Sequence, residues 1–134
     1  MPRNVRLFLI LNYVSLFVGL VVAVLRFDHS VAIAPRGGAT FVLMTQGFAL
    51  GIPLLLVSLA GLARQNWARW VILVLFVLGI IVLVPTMTLA RGGMMAPVDM
   101  LVAIGQTVVQ GIALFFIFSS SASAWYRKEE PTAP

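Results

Sequence analysis

The residues that could bind a metal ion or act as a general base are few in this sequence. It contains a single histidine, His29, which follows Asp28, and it contains no cysteine. A structural zinc ion usually takes four Cys, His, Asp or Glu ligands, and a haem held between two helices needs an axial ligand on each. The sequence therefore predicts no metal and no cofactor, with Asp28 and His29 as solvated loop residues.

Serine is the remaining candidate nucleophile, in the run Ser119-Ser120-Ser121 and at Ser123. A serine hydroxyl needs a neighbouring base before it reacts, and no histidine or lysine lies within helical reach of this run. We interpret these serines as the hydrogen-bonding end of a helix. We therefore expect that the protein is not an enzyme, and an enzymatic role ranks behind the two functions considered below.

The composition indicates which elements must position the polar residues. Of the 134 residues, 61% are hydrophobic and 10% are charged, whereas soluble domains carry about 25% charged residues. A helix needs about 20 apolar residues to cross the hydrocarbon core of a bilayer. Four stretches are about that long: 7–25, 39–63, 70–90 and 100–121. They predict an all-α fold, an integral membrane four-helix bundle formed by one domain, 1–126, with a short polar tail, 127–134.

None of the four stretches contains Lys, Arg, Asp, Glu or His. An ionisable residue inside a bilayer is costly and usually marks a path for ions or protons. The absence of such residues argues against a proton-coupled antiporter, a rhodopsin-like pump and a voltage sensor.

The basic residues predict the orientation, because Lys and Arg are retained on the cytoplasmic side. One side receives Arg3, Arg6, Arg64, Arg69, Arg127 and Lys128, and the other receives Arg26, Arg36 and Arg91. Both termini are therefore expected in the cytoplasm, with the chain in the inner (plasma) membrane. The residues expected to anchor the chain at the headgroups are Trp67, Arg69, Trp70, Trp125, Tyr126 and Arg127. Because the net charge of +5 is scattered rather than clustered, we expect no nucleic acid partner.

A cleaved signal peptide is an alternative interpretation of the first stretch. Arg3 and Arg6 would form its basic region, and Val31-Ala32-Ile33-Ala34 would form its cleavage site. We prefer a retained helix, since the apolar run exceeds the roughly 7–15 residues of a signal peptide and Pro35 would follow the cut.

Neutral polar and small residues inside the stretches have two interpretations. Membrane helices use amides and glycines for packing, so we expect helix contacts at Asn12, Gln46, Gly47, Gly51, Gln106, Gln110 and Gly111. The same residues could instead line a polar path for a solute, with Pro53 and Pro85 as kinks.

The two halves of the chain resemble each other. Thr45-Gln46-Gly47 with Gly51-Ile52 matches Gly105-Gln106-Thr107 with Gly111-Ile112 at a constant offset of 60 residues. The match indicates a helical hairpin used twice, an arrangement that often places a binding site between the repeats.

Two boundary motifs carry a family resemblance. At Asn66-Trp67-Ala68-Arg69-Trp70 and at Ala124-Trp125-Tyr126-Arg127, the chain resembles a group of small, uncharacterised four-helix membrane proteins of bacteria. The resemblance implies a bacterial inner membrane and implies no activity.

The sequence thus predicts a protein whose partners are the lipid bilayer and either another membrane protein or a second copy of itself. It would act through helix contacts as an accessory, assembly or scaffold component. The alternative is a small oligomeric channel or transporter for a neutral or weakly charged solute.

Overall fold

A computed structural model describes residues 1–34, 36–93 and 97–127, without the side chains of residues 89 and 90. The described chain is all-helical and contains no strand. Its helices are α1 (Arg3–Leu25), α2 (Phe27–Ile33), α3 (Gly38–Gly61), α4 (Asn66–Arg91), α5 (Pro97–Ile117) and α6 (Ser120–Arg127). Four of them, α1, α3, α4 and α5, are long and apolar enough to cross a membrane. Pro35 and residues 128–134 of the predicted tail lie outside the described residues.

The long helices pack in a cycle. Helix α1 packs against α3 and α5, and α4 packs against the same two helices. The short turn between α3 and α4 makes these two helices antiparallel neighbours, as short connections generally do. The cycle places the start of α1, the turn between α3 and α4, and helix α6 at one end of the molecule.

The densest packing lies at that end. Phe8 near the start of α1, Val57 and Ala60 near the end of α3, and Ala113 and Ile117 near the end of α5 are buried in one cluster. At the opposite end the helices separate, and two clefts open between them. The molecule is therefore tightly packed at one end and open towards the other.

Helix α2 lies where the sequence predicts a loop. A single residue, Arg26, separates it from α1, and the Arg26 amide still donates to the Val22 carbonyl at 2.9 Å. The Ser30 amide in turn donates to the Arg26 carbonyl at 2.9 Å. The helical hydrogen-bonding pattern therefore resumes after one residue, and Asp28 and His29 are exposed on a helix rather than in a loop.

Helix α5 ends at Ile117 rather than continuing to 121, because the serine run redirects the chain. The Ser119 hydroxyl donates to the Phe116 carbonyl at 2.7 Å and accepts a hydrogen bond from Asn4 Nδ2 at 2.8 Å. Serine hydroxyls compete in this way with the helical backbone. A separate short helix, α6, follows. The serines that were expected to end a helix therefore connect two helices.

Candidate functional site

The larger cleft, of about 480 Å³, lies between α1, α2, α3 and α5. We call it the glutamine cleft, because Gln46, Gln106 and Gln110 line its inner part. Arg26, His29 and Asp99 line it at the open end of the molecule. The cleft therefore combines neutral amides inside with ionisable groups at its entrance.

The three amides differ in their hydrogen bonding. Gln106 Nε2 donates to the Ser15 carbonyl of α1 at 3.2 Å, so Gln106 joins α5 to α1. Within the described chain, the amides of Gln46 and Gln110 make no hydrogen bond. Because an amide both donates and accepts, these two side chains keep their hydrogen-bonding capacity where they line the cleft.

An ion pair lies at the entrance to the glutamine cleft. Arg26 Nη1 lies 2.9 Å from Asp99 Oδ2, and the pair joins the junction of α1 and α2 to α5 across 73 residues of sequence. Asp99 is also in the first turn of α5, where a carboxylate suits the helix dipole. The positive charge of Arg26 and the negative charge of Asp99 therefore offset each other at the entrance.

The smaller cleft, of about 330 Å³, lies along α4 and is lined mainly by apolar side chains. Asn12 faces this second cleft, and Asn12 Nδ2 donates to the Phe8 carbonyl of its own helix at 2.9 Å. Gln110 and Pro53 line both clefts. Asn12 is therefore near the other predicted residues but is separated from the glutamine cleft by the wall that Gln110 and Pro53 form.

The predicted contact glycines fall into two groups. At Gly111, an added Cβ would lie 3.3 Å from Phe76 Cζ of α4, so the glycine lets α4 and α5 approach. At Gly47 and Gly51, an added Cβ would meet nothing within 4 Å. Gly111 is thus a contact inside the chain, whereas Gly47 and Gly51 face outwards from it.

The predicted headgroup anchors also divide into exposed and buried residues. Trp67, Trp70 and Arg127 are exposed. Arg69 and Tyr126 are buried, and the Tyr126 hydroxyl donates to the Ala60 carbonyl at the end of α3. Trp125 lies under Arg64, with the guanidinium carbon 4.3 Å from its ring centre. The buried members therefore hold α6 against the turn between α3 and α4.

Burial raises the pKa of Tyr126 from 10.0 to about 12. The neighbouring Arg69 and Arg64 charges oppose this shift without cancelling it. The protonated phenol donates to the Ala60 carbonyl, and the raised pKa extends that state to higher pH.

Sequence reasoning missed the closest approaches between helices. At Gly61, an added Cβ would lie 2.3 Å from Leu9 Cδ2, and at Gly19 it would lie 3.2 Å from Gln106 Nε2. It also missed the pairing of Arg26 with Asp99. For this pair a signal existed, because both residues border predicted helices on the same predicted side. No signal distinguished Gly61 from the glycines that face outwards.

Metal-ligating side chain types among the described residues are limited to Asp28, His29 and Asp99. Among them there is no group of three or more His, Cys, Asp or Glu side chains that could hold a metal ion. What the described structure offers is hydrogen bonding by neutral amides, close helix packing and a concentration of arginines at one end.

The four long apolar helices define a class, that of small helical proteins suited by length and composition to cross a membrane several times. The chain matches no protein-family model, no curated protein and no solved structure. These comparisons do not bear on the resemblance carried by the two boundary motifs, which stays a prediction.

Proposed function

We propose that this chain is a non-enzymatic membrane protein that binds other membrane components through helix contacts, as an accessory, assembly or scaffold subunit. The observation that supports this most directly is the outward-facing pair Gly47 and Gly51 on α3, which no side chain of the described chain approaches. A glycine inside a helix costs about 1 kcal/mol relative to alanine. Contact with a helix of another protein, or of a second copy, would offset that cost.

The surroundings of the glycine pair suit such a contact. Exposed apolar side chains lie near it on the same helix, at Leu43, Met44, Phe48, Leu54 and Leu55. Two glycines four residues apart form a shallow groove in which another helix backbone can pack closely, and these larger residues would border it.

In this proposal the four long helices form a bundle that spans the inner membrane, with both termini in the cytoplasm. The arginine-rich end carries α6 and the start of α1, so the positive-inside rule supports that orientation. The internal repeat belongs to the same proposal. Its supporting observation is that Gln46 and Gln106, which occupy equivalent positions in the two halves, line one cleft.

The first test is the mass of the intact particle. The tagged chain is purified from its own host in a mild detergent, and every component that co-elutes is identified. We expect Gly47→Leu combined with Gly51→Leu to release the partner or the second copy, because the leucines fill the groove. Gly105→Leu is the matched control, since Gly105 is also exposed with nothing near its Cβ but lies on α5. A double variant that keeps the full particle mass contradicts the proposal.

The glutamine cleft supports a second candidate function, passage or binding of a neutral polar solute by an oligomer. Its volume is within the range of small-molecule sites, and the Gln46 and Gln110 amides line it. In contrast to Gln106, neither amide is engaged in a hydrogen bond within the described chain. These two residues therefore separate solute binding from packing.

For this second function, we expect Gln46→Leu combined with Gln110→Leu to reduce flux about tenfold, the effect of losing two ordinary hydrogen bonds to a solute. The measurement is swelling of reconstituted vesicles in glycerol or urea, with the particle mass as a check on assembly. Gln106→Leu is the comparison variant. Its main effect should be a lower free energy of unfolding, since Gln106 joins α5 to α1. If glycerol and urea enter protein-free vesicles as fast as they enter vesicles that contain the protein, transport of these solutes is excluded.

A further inference from the structure

The described charges are divided unequally between the two ends of the molecule. The densely packed end carries Arg3, Arg6, Arg64, Arg69 and Arg127. None of the described residues at that end is an aspartate or glutamate. At the open end, Arg26, Arg36 and Arg91 are accompanied by Asp28 and Asp99. We call the first of these the arginine end.

Arg69 is the most deeply buried of these arginines, with only 8% of its surface exposed. Its Nη1 donates to the Ser123 hydroxyl at 3.3 Å, and its Nε has no hydrogen-bond partner in the described chain. The guanidinium carbon lies 4.7 Å from the Tyr126 ring centre and 5.1 Å from that of Phe118. Aromatic faces attract a cation, but they offset only part of the cost of burying it without an anion.

Arg64 lies in the turn between α3 and α4, five residues before Arg69. Its side chain, like that of Arg69, is directed towards α6. Its backbone φ of 55° is in the left-handed region, which a non-glycine residue enters at a cost. Its guanidinium stacks on Trp125 and donates to the Trp125 carbonyl. The guanidiniums of Arg64 and Arg69 are therefore both held against α6.

The exposed rings of Trp67 and Trp70 lie near the start of α4. Trp67 lies between the two arginines in sequence, and Trp70 directly follows Arg69. Tryptophan prefers the headgroup region of a bilayer. Basic groups between helices at that depth bind phosphate-bearing lipid headgroups, and arginine matches phosphate geometrically through paired hydrogen bonds. A lipid would supply both the anion and an apolar chain to pack on the tryptophans.

We propose that the arginine end binds the phosphate of an anionic phospholipid through Arg64 and Arg69, with Trp67 and Trp70 against its acyl chains. This site is independent of the protein partner and of the glutamine cleft. It lies at the other end of the molecule from the cleft entrance, so a failure of either proposed function leaves it standing.

The test compares lipids retained by the full chain. Purified protein in mild detergent is titrated with phosphatidylglycerol or with phosphatidylcholine of the same acyl chains, and bound lipid is counted by the mass of the intact particle. We expect preferential retention of phosphatidylglycerol. Arg64→Gln combined with Arg69→Gln should weaken it about tenfold or more, the effect of losing charge-assisted hydrogen bonds. Arg36→Gln combined with Arg91→Gln, at the open end, is the matched control and should leave it unchanged.

Three further controls complete the test. Arg64→Lys with Arg69→Lys retains both charges, so it should keep most of the preference even if packing on α6 loosens. The helical circular dichroism of every variant establishes that it is folded, and the single variant Arg64→Gln replaces the double one if the latter unfolds. Glu129→Gln with Glu130→Gln should leave lipid binding in place.

Several results would overturn the proposal. They are equal retention of the two lipids, equal losses in the variants of both ends, or displacement of the lipid by an equal concentration of inorganic phosphate.

Discussion

Replacing Phe8 with alanine is expected to lower the free energy of unfolding by about 3 kcal/mol, within the range for truncating a buried phenylalanine. Phe8 is 0% exposed and packs in the cluster that joins α1, α3 and α5. Lipid is as apolar as a protein interior, so association of membrane helices depends on van der Waals packing rather than on exclusion of water. The expected loss is therefore that of contacts around a cavity that lipid does not reach.

The measurement is unfolding by a denaturing detergent, followed by circular dichroism and tryptophan fluorescence. Phe17→Ala is the matched control, because Phe17 lies on the same helix and is 65% exposed. It should change stability by less than about 0.5 kcal/mol, as surface substitutions generally do. Equal losses at the two positions would mean that Phe8 does not pack as described.

The second large effect is expected at Gly61. An added Cβ would lie 2.3 Å from Leu9 Cδ2 and 2.6 Å from Leu9 Cγ, so even alanine forces Leu9 to move. Leu9 is itself buried in the core cluster and has little space to move into. We expect Gly61→Ala to lower the free energy of unfolding by about 2 kcal/mol through overpacking, and Gly61→Leu to lower it further by separating α1 from α3.

The same detergent titration measures this effect, and Gly51→Leu is its control. Gly51 is on the same helix as Gly61, but nothing approaches its Cβ position. If the proposed function holds, Gly51→Leu impairs association while leaving the unfolding of the monomer unchanged, and Gly61→Ala does the reverse. Destabilisation of the monomer by Gly51→Leu would show that the two glycines do not differ as the structure indicates.

These predictions share one feature of the fold, the contrast between its two ends. Phe8 and Gly61 lie where α1, α3 and α5 pack most closely, and Arg69 and Tyr126 fasten α6 over that packing. Towards the other end the helices leave room for the glutamine cleft. The closed end is suited to hold the helices together, which leaves the open end free to admit a ligand without loss of the core.

Local properties of the sequence were sufficient for the helical class. Length and apolarity predict the four long helices, because a bilayer-spanning helix satisfies all its backbone hydrogen bonds within itself. These features need no knowledge of which helix lies beside which.

Tertiary packing alone decided the roles of individual residues. Gly47, Gly51 and Gly61 occur in one apolar stretch, yet only Gly61 lies against another helix of the chain. Arg69 and Trp70 are adjacent in sequence, yet one is buried and the other exposed. The Ser119 hydroxyl, at the break between α5 and α6, accepts a hydrogen bond from Asn4, which is 115 residues away. The physical reason is common to all three: a residue facing lipid and a residue facing another helix both lie in apolar surroundings, so hydropathy does not encode the rotation of a helix, which is set by contacts distant in sequence.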